Sequence, residues 1–118
     1  MNCSAAIVNL AAKIGSTFAL QIVVTDDDDN ALNLTTGWRF AMQVRTKSGE
    51  LLFSADSNGD PATIELENDG TATITVHVPE GIMPQTAIYD VLAEHGEDRE
   101  PVLEGIMLLN PQITDITE

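Results

Sequence analysis

The chain has a single cysteine, Cys3, so an intramolecular disulfide and a four-cysteine zinc site are both excluded, and the core must hold by packing alone. Basic residues are nearly as scarce. Lys13, Arg39, Arg45, Lys47 and Arg99 stand against nineteen acidic residues, for a formal charge of −14. Nucleic acid is not expected as a partner, because binding it requires cations that displace counterions. An anionic membrane surface is disfavoured for the same reason. No apolar run approaches the ~20 residues of a membrane-spanning helix; Gly105 to Leu109 is among the longest. Met1 to Ile14 lacks the basic start and apolar stretch of a secretion signal, so the expectation is a soluble protein made in a cytoplasm. Aromatics are few: Phe18, Trp38, Phe40, Phe53 and Tyr89.

What the chain does have is 118 residues, 43% of them apolar, enough for one domain with a real core. The apolar residues recur with a period of two, the signature of half-buried strands. Phe18, Leu20, Ile22 and Val24 take one face, with Thr17, Gln21 and Thr25 on the other. Trp38, Phe40, Met42 and Val44 alternate with Arg39, Ala41, Gln43 and Arg45, Ile64 and Leu66 with Thr63, Glu65 and Glu67, and Ala72, Ile74, Val76 and Val78 with Thr71, Thr73, Thr75 and His77. Between them lie turn signals: Asp26 to Asn30, Ser48-Gly49, Asp56 to Pro61, Asn68-Asp-Gly70 and Gly96 to Arg99. Pro79 to Pro84 reads as a 3₁₀ turn or a tight crossover loop. Seven or eight short strands at this spacing predict an antiparallel β-sandwich as a single domain over residues 1–118. Residues 1–12 read as a flexible or strand-exchanging N-terminal arm, and residues 111–118 as a polar tail.

The last two strands break the alternation. Tyr89, Val91 and Ala93 are apolar, but so are Ile88 and Leu92 on the opposite face; Leu103, Met107 and Leu109 are matched by Val102, Ile106 and Leu108. A strand apolar on both faces has its second face covered. Either a loop or a partner covers it here, which makes Ile88, Leu92, Val102, Ile106 and Leu108 the candidate interface.

No constellation for chemistry stands out. Asp26, Asp28 and Asn30 have the start of an EF-hand spacing, but Ala31 and Gly37 occupy the positions that require glycine and glutamate, leaving a solvated turn or a looser surface cation site. Glu65 and Glu67 share a strand face with no cleft implied. His77 and His95 stand apart from each other and from Cys3. There is no nucleophile elbow and no phosphate-binding glycine loop. The expectation is a non-enzyme with no metal and no cofactor. Arg39, Arg45 and Lys47 are expected to face Glu65, Glu67 or similar acids on neighbouring strands. Trp38 reads as core, with a glycan-stacking role as its alternative.

The order of short motifs carries a resemblance. Ile14-Gly-Ser-Thr-Phe18 opens a strand; Leu32-Asn-Leu-Thr-Thr-Gly-Trp38 follows an acidic turn; then come Gln43-Val-Arg45, Ile82 to Pro84, Tyr89-Asp-Val91, Leu103-Glu-Gly105 and Pro111 to Thr114. Over roughly residues 5–115 the chain resembles small structural proteins from the tail and baseplate regions of tailed bacteriophages, specifically the N-terminal domain of phage baseplate upper proteins. It departs from that pattern in Asn33, where the turn usually carries aspartate, and in the additional Thr36. The resemblance implies an Ig-like β-sandwich and a virion location. It also implies other virion structural proteins as partners, with a homo-oligomer possible in addition. A capsid-decoration protein and a host-surface adhesion or glycan-binding module are the alternatives.

Overall fold

In a computed structural model, residues 6–26, 28–59 and 62–111 are described. Among them nine strands form two sheets and no helix occurs. The strands are β1 (Ala6–Ile7), β2 (Leu10–Lys13), β3 (Thr17–Val23), β4 (Trp38–Arg45), β5 (Leu51–Asp56), β6 (Ile64–Leu66), β7 (Thr71–His77), β8 (Gln85–His95) and β9 (Asp98–Asn110). The larger sheet runs β1-β9-β8-β4-β5, with β2 also on β9; the smaller runs β3-β7-β6. In the lettering of immunoglobulin-type domains, the smaller sheet takes the places B-E-D and the larger C′-C-F-G, so the expected all-β, Ig-like sandwich is found.

The period-two pattern decides which face of each strand is buried. Phe40, Met42 and Val44 of β4, Ala87, Tyr89, Val91 and Ala93 of β8, and Leu103, Met107 and Leu109 of β9 meet Phe18 of β3 and Ala72, Ile74 and Val76 of β7. Each large apolar side chain buried there stabilises the fold by roughly 1.5–3 kcal/mol. Phe40 and Met42 are almost wholly enclosed. Truncating Phe40 to alanine would cost about 3–5 kcal/mol.

Turn chemistry fixes the registers. Gly70 closes the β6–β7 hairpin at φ 86°, where Asp69 accepts the amide of Thr71. A Cβ at Gly70 would lie 2.5 Å from the carbonyl oxygen of Val24, so only glycine lets the β3 exit pass this close. Asp26 uses its carboxylate on its own turn, accepting the amides of Asp28 and Asn30 at 2.9 Å each. Residues 79–84 form the turn that carries β7 into β8.

The N-terminal segment is the main difference from the sequence expectation. β1 and β2 lie parallel to β9 of the same chain, Ala6 beside Leu103 and Leu10 beside Met107. The strands are therefore not all antiparallel, and these two short ones raise the count to nine. Residues 1–5 of the expected arm and residues 112–118 of the expected tail lie outside the described residues.

Candidate docking face

The larger sheet has one face on the core and one facing out. Its outward residues follow from register. On β8 they are Thr86, Ile88, Asp90, Leu92 and Glu94; on β9, opposite these, Leu108, Ile106, Glu104, Pro101 and Arg99. β4 adds Arg39, Ala41, Gln43 and Arg45, and the N-terminal strands add Ile7, Ala11 and Lys13.

Four of the five candidate interface residues share this face. Ile88 and Ile106 are direct cross-strand partners, and Leu108 lies one step along, opposite Thr86. Ile88 keeps 41% of its surface exposed and Leu108 42%; Ile7, in the segment expected as an arm, keeps 76%. Leu92 and Ile106 are half-buried by their neighbours. Val102 is the exception: expected on this face, it packs against the core instead. The cause is a bulge. Val91 pairs with Leu103 and the next residue, Leu92, with Pro101, so Val102 is the extra residue that leaves the alternation.

A groove of about 430 Å³ runs along the centre of the face, lined by Ile7, Gln43, Arg45, Ile88, Asp90 and Glu104, with Tyr89 and Gly105 also bordering it. Asp90 and Glu104 are direct cross-strand partners, an arrangement of like charges that costs stability. Beside the groove, β1 and β2 are interrupted at Val8 and Asn9. There the chain dips toward Gly105, where a Cβ would stand 2.3 Å from the Val8 carbonyl oxygen. Sequence reasoning placed Gly105 inside the last strand, where a missing side chain permits an approach of this kind. It missed Ile7, Asp90 and Glu104, because only the parallel pairing of β1 brings residue 7 beside residue 104.

At one end of the face the charges pair. Arg39 grips Asp56 through Nη2–Oδ2 at 2.6 Å and Nε–Oδ1 at 3.2 Å, and Arg99 holds Glu94 at 2.7 Å. The Arg39 hydrogen bonds hold the Asp56 carboxyl below the usual carboxylate range, and Arg39 itself is raised. The expected partners Glu65 and Glu67 are not used, because their segment belongs to the other sheet. Arg45 bonds Gln43 and the carbonyl of Gly49.

Trp38 lies partly buried at the end of the sandwich, packed on the core and stacked on His95 with ring centroids 4.5 Å apart. The two are cross-strand partners. That ring face is therefore already taken by an aromatic neighbour. His77 is exposed at the far end of β7. Among the described residues, no three histidine, cysteine or acidic side chains gather as a metal site.

No protein-family model matches the chain, and no curated protein matches it in sequence.

Proposed function

We propose that this protein is a non-enzymatic structural component of a tailed-phage virion, and that the outer face of the β1-β9-β8-β4-β5 sheet docks it to other virion proteins of the tail, baseplate or fibre-attachment region. The observation that carries the docking reading is the line Ile88, Ile106 and Leu108 at the centre of that face, flanked by Ile7 and Leu92. In a sandwich of this size the outer face of a sheet ordinarily meets water and is largely polar, as on the smaller sheet, where Gln21, Thr73 and Thr75 accompany a single large exposed apolar residue, Val23. A contiguous apolar line with charged residues around it is the composition of a binding surface. The virion assignment is supported by the order of turn and core motifs from Ile14 to Thr114.

The test uses Leu108→Asp and Ile106→Asp in the intact chain. Both variants are expected to fold, by circular dichroism and thermal melting, and to be missing from assembled particles when these are purified and their proteins identified by mass. Incorporation of both at the wild-type level would remove this face from the proposal.

A further inference from the structure

We infer that the partner seated on this face is a second copy of the same chain, the two larger sheets packing face to face. This rests on reading the face as a docking surface and goes further by naming its occupant.

The distribution of charge is the first argument. The chain has only five basic residues. Lys13, Arg39, Arg45 and Arg99 all point to the outer face of the larger sheet, and Lys47 lies in the turn between β4 and β5. Four acids, Asp56, Asp90, Glu94 and Glu104, share that face with them. The face is therefore neutral, and it mixes both signs. Among the described residues, eleven further acids lie away from this face, with Lys47 as the one cation beside them. The outer face of the smaller sheet carries Glu65 and no cation. Two copies of a chain with charge −14 repel one another in almost every orientation. The orientation that puts neutral face on neutral face lessens that repulsion, by keeping the acidic remainders apart, and brings cations of each copy near acids of the other. Arg39, Glu94 and Arg99 already form a row across three strands, so re-pairing across an interface needs only side-chain rotation. A strongly basic partner would instead find its best electrostatic match elsewhere on the molecule.

Area is the second argument. Five strands at a spacing of ~4.8 Å span ~24 Å, and an eleven-residue strand such as β8 is ~37 Å long. The face thus offers on the order of 800 Å², the share that each partner contributes to a stable interface of standard size. Sheet faces pack ~10 Å apart when their side chains interdigitate, and the line of Ile88, Ile106 and Leu108 beside the groove supplies the relief to do so.

Light scattering on the intact protein tests this, from about 10 μM to about 1 mM, at about 0.01 M and about 0.15 M salt. The expected result is a mass rising from 12.7 kDa toward twice that value, with tighter association at the higher salt, where the repulsion between the acidic remainders is screened. Ile88→Ser and Leu108→Ser, mild enough to keep the fold, are each expected to weaken the dimer roughly tenfold or more. A monomer at every concentration and salt overturns the inference, as does an oligomer whose strength neither variant changes. The two readings fail separately. A monomer that enters particles only with the face intact rejects the second copy and keeps virion docking. A face-dependent dimer never found in particles keeps the second copy and rejects the virion role.

Discussion

The hydroxyl of Tyr89 donates a 2.6 Å hydrogen bond to the carbonyl oxygen of Val8, across 81 positions of sequence. Tyr89 pairs in register with Gly105, and Val8 sits where a Gly105 side chain would be, so the tyrosine reaches over the glycine to hold the N-terminal strands against β9. Tyr89→Phe removes that bond and nothing else. The expected cost is about 1 kcal/mol by chemical denaturation, with loss of hydrogen-exchange protection concentrated at the Val8 amide, which bonds Glu104.

Alkaline titration gives the same residue a sign. Burial raises the Tyr89 phenol above its ordinary value. The unfolded state then loses its proton first, so the stability is complete below about pH 10 and falls as pH rises from there through the folded-state value. Tyr89→Phe is expected to lack this part of the alkaline loss, measured as the denaturation midpoint between pH 9 and pH 11.

Gly105→Ala forces a methyl group to within 2.3 Å of a backbone oxygen, at a φ of 155°. Backbone must move, and the expected loss is roughly 1–3 kcal/mol, accompanied by detachment of β1. Gly81→Ala is the control: its Cβ would meet nothing within 4 Å, and its φ lies outside the left-handed range. It is expected to be neutral or slightly stabilising in the same melting experiment.

Acid titration reads the Arg39–Asp56 pair. The folded-state value of Asp56 is lowered, first by its hydrogen bonds from Arg39. Its contribution is therefore present above about pH 4, the unfolded carboxylate range, and is lost as pH falls through the lower folded-state value. Asp56→Asn is expected to be less stable than wild type at pH 6. The difference should narrow toward pH 2 in urea denaturation.

The bulge separates a valine and an isoleucine that look alike in sequence. Val102→Asp places a charge against the core and is expected to cost about 2–4 kcal/mol or to prevent folding. Ile88→Asp, on the outer face, is expected to cost under about 1 kcal/mol in the isolated protein. Equal melting losses for the two would contradict the placement of Val102.

Alternation made most of the sandwich legible from sequence. Phe18, Phe40, Met42, Ile74 and Val91 are buried because their period selects the core face, whatever the partner strand. The start of β9 was less legible. A turn was expected over Gly96 to Arg99, yet β9 begins at Asp98 and so takes in Pro101. Proline is tolerated there because, among the described residues, no strand pairs with the β9 edge beside Pro101; β1 pairs at Leu103 and Glu104. The pairing of β1 and β2 was not legible at all. Two- and four-residue strands carry too little pattern, and parallel partners nearly a hundred positions away leave no local trace. Four of the five candidate face residues followed from double-sided hydrophobicity; Val102 failed because a bulge shifts register without marking the sequence.

Because β1 and β2 run parallel to β9, the two ends of the described chain leave this ladder in opposite directions. Tension applied between those ends loads the ladder bonds side by side, in shear, so they must give way together. An antiparallel hairpin pulled at its open end yields one bond at a time. The junction clamped by Tyr89 and Val8 therefore gives the fold a mechanical axis along which it resists extension, independent of its thermodynamic stability.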